Sequence, residues 1–252
     1  MIDIKTPKEI SIMAAGGKIL AEVLSEVLSK IKPGVSELEL DNLAEKLIRG
    51  KGAEPGFKRV EGYRYSICIS TNEAVVHGIP TDYRFKEGDV VGVDCGVYFK
   101  GFNTDMAQTI EVKGQSDDSV DKFLKTGEKA LIEGIKQAMP GNRVGHISKA
   151  IQDIVEEKGY SVVRSLVGHG VGRELHEEPE VPGFLIKKID QTPNLKEGMV
   201  IAVEVIYNMG KADVEYSNDD GWTIKTKDNS LSGLFERTIA VTKSGPVVLT
   251  TV

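Results

Sequence analysis

The sequence predicts one α+β domain made of two like halves, and three observations carry that prediction. A pair of helix-periodic stretches with strand-like runs beside it occurs in each half of the chain. Pro33-Gly34, a helix and Lys51-Gly52 return as Pro140-Gly141, a helix and Lys158-Gly159, with 18 residues from Pro to Lys both times. Lys86-Glu87-Gly88 and Lys196-Glu197-Gly198 each open an apolar run with an acid eight residues after the Lys, Asp94 in one and Glu204 in the other. The two matches keep their order at offsets of 107 and 110 residues, which points to a duplicated helix–helix–sheet unit. Each half alone leaves a sheet face to cover, so both are expected to pack as a single domain over 1–252, with halves of roughly 1–115 and 116–252.

The elements follow in order. Residues 7–30 carry Ile10, Met13, Ala14, Ile19 and Leu20 near the 3.6-residue period of an amphipathic helix. After the Pro33-Gly34 turn, Ser36 and Glu39 supply capping chemistry for a second helix over roughly 36–50, which Lys51-Gly52 stops. Strands are predicted at about 65–70, 90–98 and 103–112, with Gly101 in the hairpin turn between the last two. Helical periodicity returns at about 118–138 and 144–158, and strand patterns at about 161–166, 199–208, 213–225 and 234–241.

With 252 residues, 40% hydrophobic and 28% charged, the chain has the make-up of a soluble globular protein with a real core. A net charge of −6 gives no sign of a nucleic-acid arm or a basic membrane patch. No apolar stretch approaches the ~18–20 residues of a bilayer span. The start, MIDIKTPKEISIM, lacks the apolar run of a signal peptide, so a cytoplasmic location is expected. Cys68 and Cys95 read as small buried residues on strands, since a disulfide framework needs more cysteines and an exported chain.

Acids interrupt strands that should be apolar. In VVGVDCGVY, period two sets Val91, Val93, Cys95 and Val97 on one face and Asp94 on the other with Gly92 and Gly96. A carboxylate in a central strand is costly unless paired or metal-bound, and the flanking glycines suggest a face cleared for something to approach the backbone. Asp105 lies eleven residues on; with a loop of two or four residues, it shares that face with Asp94. A solvated edge hairpin bearing two surface acids is the competing reading. Glu204 interrupts VIAVEVIY and Glu236 interrupts LSGLFERTIAV, and Arg237 points to the opposite face from Glu236. Four carboxylates in strand interiors, two from each half, are best explained by a metal cluster.

Of the four histidines, His146 opens a helical pattern and reads as solvated or capping. His169 lies in the Gly-rich turn Val167-Gly168-His169-Gly170, while His77 and His176 precede Pro-containing turns. Each alone is as readily a polar loop residue as a functional one. The run GHGVG lacks the spacing of a phosphate loop. An Asp-Asp-His-Glu-Glu set suits Mn, Fe, Co or Zn rather than a thiolate-selective ion. Two divalent ions would neutralise four carboxylates, and a two-metal hydrolase follows as the reading. Spacing alone does not name its substrate.

Five motifs resemble those of the type I methionine aminopeptidases, of the pita-bread metallopeptidase fold: TNEAVVHGIP (71–80), GVDCGVYFKGFNTDMA (92–107), GHGVGRELHEEPEVP (168–182), AVEV (202–205) and FERT (235–238). The resemblance covers essentially the whole chain. It implies a two-fold repeat of helices on a curved antiparallel sheet and a hydrolase of protein maturation that removes the initiator methionine from nascent polypeptides. By the same resemblance Asp105 and Glu236 bridge two metals, Asp94 completes one shell, and His169 with Glu204 completes the other. A bridging hydroxide attacks the first peptide carbonyl, Glu204 shuttles its proton, His176 stabilises the oxyanion and His77 bonds near the scissile nitrogen.

Tyr63, Cys68, Leu175 and Trp222 match the family's methionine-pocket positions, and Trp222 could equally anchor the sheet. Phe57 and Val60 stand where some relatives carry Cys and Tyr, and Leu175 replaces a common Phe, so an altered but still apolar fit is expected. The family also suggests a monovalent-cation site at Asn72, Ala74 and Ser232, a monomer, and transient ribosome contact. A small second substrate residue is expected beside the crowded metal rim. The rivals are proline-directed peptidases of the same fold, which normally carry an additional N-terminal domain, a type II enzyme, which has a helical insertion, and a metal-free binding module.

Overall fold

The computed structural model describes residues 2–112, 118–217 and 220–251. The half boundary expected near 115 lies outside these residues. Four helices form where the periodicity places them: α1 (Pro7–Ser29), α2 (Glu37–Gly50), α3 (Asp118–Lys136) and α4 (Val144–Glu157). At α2, the Glu39 N–H donates to Ser36 Oγ and the Ser36 N–H donates to the Glu39 carboxylate, the expected reciprocal cap. Thr6 and Glu9 build the same cap on α1, a signal present in KTPKE that the periodicity reading passed over. His146 does cap: the Arg143 N–H donates to its Nδ1 at 3.0 Å at the start of α4.

Thirteen strands are described: β1 (Glu54–Pro55), β2 (Ile67–Thr71), β3 (Ala74–Val76), β4 (Val90–Phe99), β5 (Phe102–Glu111), β6 (Ser161–Val162), β7 (Gly168–Gly170), β8 (Glu177–Val181), β9 (Val200–Asn208), β10 (Val214–Tyr216), β11 (Ile224–Thr226), β12 (Ser232–Thr242) and β13 (Gly245–Val248). The main antiparallel sheet runs β1-β4-β5-β12-β9-β7-β8, with β2 on β4, β6 on β9 and β13 on β12. A small sheet runs β10-β11-β3. The run expected at 161–166 shortens to β6, and the run at 213–225 divides into β10 and β11, with 218–219 outside the described residues.

Alternation along the long strands decides what each sheet face meets. Val91, Val93, Cys95 and Val97 of β4 pack with Leu20, Leu24 and Val27 of α1 and Leu40, Ala44 and Ile48 of α2. Ile201, Val203, Val205 and Tyr207 of β9 and Phe235 and Ile239 of β12 pack with Phe123, Ala130, Ile147 and Ile151 of α3 and α4. Burying these apolar faces, at ~25 cal/mol per Å² removed from water, is the main force holding helices to sheet. The acids therefore project from the opposite face.

The N-terminal and C-terminal strands of the main sheet meet along β5 and β12. Only Glu236↔Ala107 and Arg237↔Met106 pair directly there. Beyond this pair, the Asp105 N–H donates to Thr238 Oγ1, whose hydroxyl donates to the Asp105 carbonyl, both at 2.8 Å. At the other end Thr109 Oγ1 accepts from the Leu234 N–H at 2.9 Å and donates to the Leu234 carbonyl at 2.8 Å. One threonine from each strand thus inserts a hydroxyl into the ladder and keeps the backbone groups paired while the strands diverge. Among the described residues no helix is long and apolar enough to cross a membrane.

Candidate metal centre and substrate cavity

One register row carries three of the acids, Asp94, Glu236 and Glu204. Cys68 pairs with Asp94, Asp94 with Ala107, Ala107 with Glu236, and Glu236 with Glu204, straight across β2, β4, β5, β12 and β9. Lys100 and Gly101 form a two-residue turn with φ of 49° and 94°, so β5 returns with Asp105 opposite Gly96 and on the face of Asp94. The solvated-edge-hairpin alternative fails, because β4 and β5 are interior strands of the sheet. Gly96 is not bare for an incoming ligand: a Cβ there would lie 2.7 Å from the Phe57 ring, so the space belongs to a cavity wall. Gly92 likewise faces Thr109 and Ser70.

His169 is not in a turn but in the middle of β7, opposite Ala202 of β9. Its Nδ1 lies 2.8 Å from the Gly170 carbonyl and acts as donor there, which leaves the Nε2 lone pair facing Glu204 Oε1 at 3.5 Å. Ligand atoms of Asp105, His169 and Glu236 all lie within 4.8 Å of one another. Burial pushes all four carboxyls up, Asp94 to about 7, and the negative charge of neighbouring acids adds to the rise at Asp105, Glu204 and Glu236. Burial, then His176, lowers His169 to about 4, so its imidazole is neutral.

Asp94 Oδ1 and Glu236 Oε1 are buried without a hydrogen-bond partner. Oxygen atoms so placed are expensive unless something positive meets them. Four crowded carboxyls, a neutral imidazole with a free lone pair and two orphaned oxygens fit a divalent-metal site.

The centre forms the floor of a cavity of about 210 Å³. Phe57, Tyr63, Cys68, Leu175 and Trp222 wall one side; the Tyr63 and Trp222 rings meet edge-on at 5.2 Å, which gives Trp222 a cavity role. His77 and His176 reach the same cavity, both pKa values lowered by burial. His77 sits at φ 57°, ahead of Gly78, where a Cβ would come within 1.9 Å of the Ile69 carbonyl. That contact seats the histidine against β2.

A family profile described as metallopeptidase family M24 matches residues 11–243. The chain belongs to this family.

Methionine aminopeptidases match along the whole length. A methionine aminopeptidase of Clostridium perfringens is 44% identical over 250 residues, covering 99% of both chains. The crystal structure of methionine aminopeptidase from Thermotoga maritima superposes with a TM-score of 0.96 at 39% identity, covering all of both chains. A Pyrococcus furiosus prolidase also matches, with a TM-score of 0.80 at 26% identity; it covers 99% of this chain but only 65% of the prolidase. The fold is that of the M24 pita-bread proteins, as the motifs implied.

Other M24 expectations sort by position. Asn72 and Ser232 are neighbours, the Ser232 N–H donating to the Asn72 carbonyl at 3.0 Å, while Ala74 begins β3. None of the three lines the metal cavity. The Asn72 side chain is engaged elsewhere, donating to Asp89 and accepting from the Val90 N–H. Val76, Leu166, Val167, Ile206 and Leu234 line the cavity without having been foreseen. Period two held the signal for two of them, since Ile206 follows Glu204 by two residues and Leu234 precedes Glu236 by two.

Proposed function

We propose that this enzyme is a methionyl aminopeptidase with a dinuclear centre, removing the N-terminal methionine from nascent polypeptides whose second residue is small. One observation carries the reading: Asp94, Asp105, His169, Glu204 and Glu236, with Asp105, His169 and Glu236 buried and two carboxylate oxygens orphaned, lie at the floor of a largely apolar cavity of side-chain size. The full-length likeness to methionine aminopeptidases supports the substrate.

Asp94, Asp105, His169, Glu204 and Glu236 would hold two divalent ions of Fe, Mn, Co or Zn. When bound, such ions polarise a carbonyl and make water nucleophilic at neutral pH. Glu204 takes a proton from the attacking water and passes it to the leaving amine. His176, kept neutral by burial, donates to the developing oxyanion. His77 hydrogen-bonds near the scissile nitrogen. Phe57, Tyr63, Cys68, Leu175 and Trp222 receive the methionine side chain, whose polarizable thioether suits aromatic walls. The same reading takes 1–252 as one catalytic unit of two like halves, acting as a cytoplasmic monomer with transient ribosome contact and a monovalent cation near Asn72, Ala74 and Ser232.

The test is methionine release from Met-Ala-Ser, run beside Met-Pro-Ser and Ala-Pro-Ser, with chelated enzyme, metal-restored enzyme and His169→Ala. Release should require metal and fall at least ~100-fold in His169→Ala. Cleavage confined to Ala-Pro-Ser would move the enzyme to the proline-directed members, and silence in folded, metal-loaded protein would favour a binding module.

A further inference from the structure

A second cavity, of about 310 Å³, adjoins the first and shares Val60, Leu175 and His176 with it. Its other walls include Arg59, Asn103, Arg173 and Glu174. Asn103 pairs with Tyr98 across the β4–β5 hairpin, two residues beyond the Asp105–Gly96 pair and on the same sheet face. At ~3.3 Å per residue that step is about 7 Å, the reach of two residues of an extended peptide. The Arg59 guanidinium lies 3.7 Å from the centre of the Tyr98 ring, and that of Arg173 lies 4.8 Å from Phe102. The Asn103 side chain donates to the Gly172 and Arg173 carbonyls and so holds the loop carrying Arg173.

Charge decides what this cavity accepts. Arg59 pairs with Glu54 at 3.4 Å and Arg173 with Glu9 at 2.6 Å, while Glu174 adds a negative charge. No net positive field is left to select an acidic group. Each guanidinium nevertheless has five N–H donors and gives one nitrogen to its acid, so donors remain for neutral oxygens. Donors on arginine beside an acceptor on Glu174 match the carbonyl and N–H of a peptide main chain.

Resting on the aminopeptidase reading, we propose that this cavity binds the main chain of the third and fourth substrate residues, with Arg59 and Arg173 donating to their carbonyls, whatever their side chains. Binding energy gathered there would be spent at the reacting bond, so short substrates should react poorly.

The experiment compares Met-Ala-amide with Met-Ala-Ser-Gly-amide, Met-Ala-Asp-Gly-amide and Met-Ala-Lys-Gly-amide on metal-loaded enzyme. Lengthening should raise kcat/KM by about tenfold, with Asp and Lys at the third position within about threefold of each other. Arg59→Ala should reduce that gain to about twofold, and Arg59→Lys should restore part of it. Arg173→Lys, which keeps a cation for Glu9, should also shrink it. In parallel, binding of Ala-Ser-Gly-amide measured by calorimetry should weaken in Arg59→Ala. A length gain unchanged in both arginine variants, or a strong Asp-over-Lys preference, would overturn the proposal. Wild-type enzyme that binds Ala-Ser-Gly-amide through Arg59 yet releases no methionine from any peptide would overturn the aminopeptidase reading and leave the subsite standing.

Discussion

The clustered acids should trade stability for metal binding, and single substitutions test that trade. Glu236 is buried beside Asp105 and Glu204 with one oxygen unpaired, so the metal-free fold carries its charge or its proton at a cost. Glu236→Gln should raise the melting temperature of the chelated protein, by an equivalent of about 1–2 kcal/mol, while divalent-metal uptake measured by elemental analysis collapses. A chelated variant that melts below the chelated wild type would show that the cluster is not strained. Gly78 answers a different question. Because its missing Cβ would meet the Ile69 carbonyl at 1.9 Å, Gly78→Ala must displace the His77 segment. Unfolding in urea should show a loss above ~2 kcal/mol, with kcat/KM reduced in protein that remains folded.

Between elements, the β5–β12 junction joins the N-terminal strands of the main sheet to its C-terminal strands. Thr238→Val preserves shape but leaves the Asp105 N–H and carbonyl without their partner, and Thr109→Val does the same to Leu234. Each should cost ~2–3 kcal/mol in urea unfolding, and because the two hydroxyls stand well apart along the strands their costs should add. Only Thr238→Val should also weaken metal affinity, because Asp105 hangs from that hydroxyl. Equal metal binding in the two variants would refute the idea that the junction sets the position of Asp105. The junction was not legible beforehand: Thr109 and Thr238 look like ordinary strand residues, and their role exists only where β5 and β12 meet. The long helices and strands were legible because their periodicity is local. Short pieces such as β7 and β8 were not, being held by neighbours rather than by their own pattern.

For the whole molecule, protonation and metal binding should oppose each other. Asp94, Asp105, Glu204 and Glu236 hold their protons to higher pH in the fold than in the unfolded chain. Acids shifted upward lend stability below the ordinary carboxylate range and withdraw it as pH rises through the folded value, about 7 for Asp94. His77, His169 and His176 are shifted downward, so the unfolded chain takes protons first and the fold is penalised below ~6.5. Above that point the carboxyls act alone. The melting temperature of chelated protein should therefore fall by several degrees between about pH 6.5 and pH 8. Divalent metal should reverse that fall, and its stabilising effect should shrink on acidification as protons compete for the ligands. A flat chelated profile, or a metal effect independent of pH, would count against these ligands.

The sequence by itself determined the helix pairs, the long strands, the duplicated pattern and the acids out of place, because period, capping and the cost of a charge in an apolar strand belong to the chain locally. It also held the family, through motifs whose order and spacing survive without any knowledge of contacts. Tertiary structure alone decided that Gly96 clears space for Phe57 rather than for a ligand, that His169 sits in a strand, and that Asp94, Ala107, Glu236 and Glu204 fall in one row. Those facts depend on contacts between segments distant in the chain, and those of β5 and β12 lie more than a hundred residues apart. Such register is set by how packed segments meet, and no local pattern encodes it.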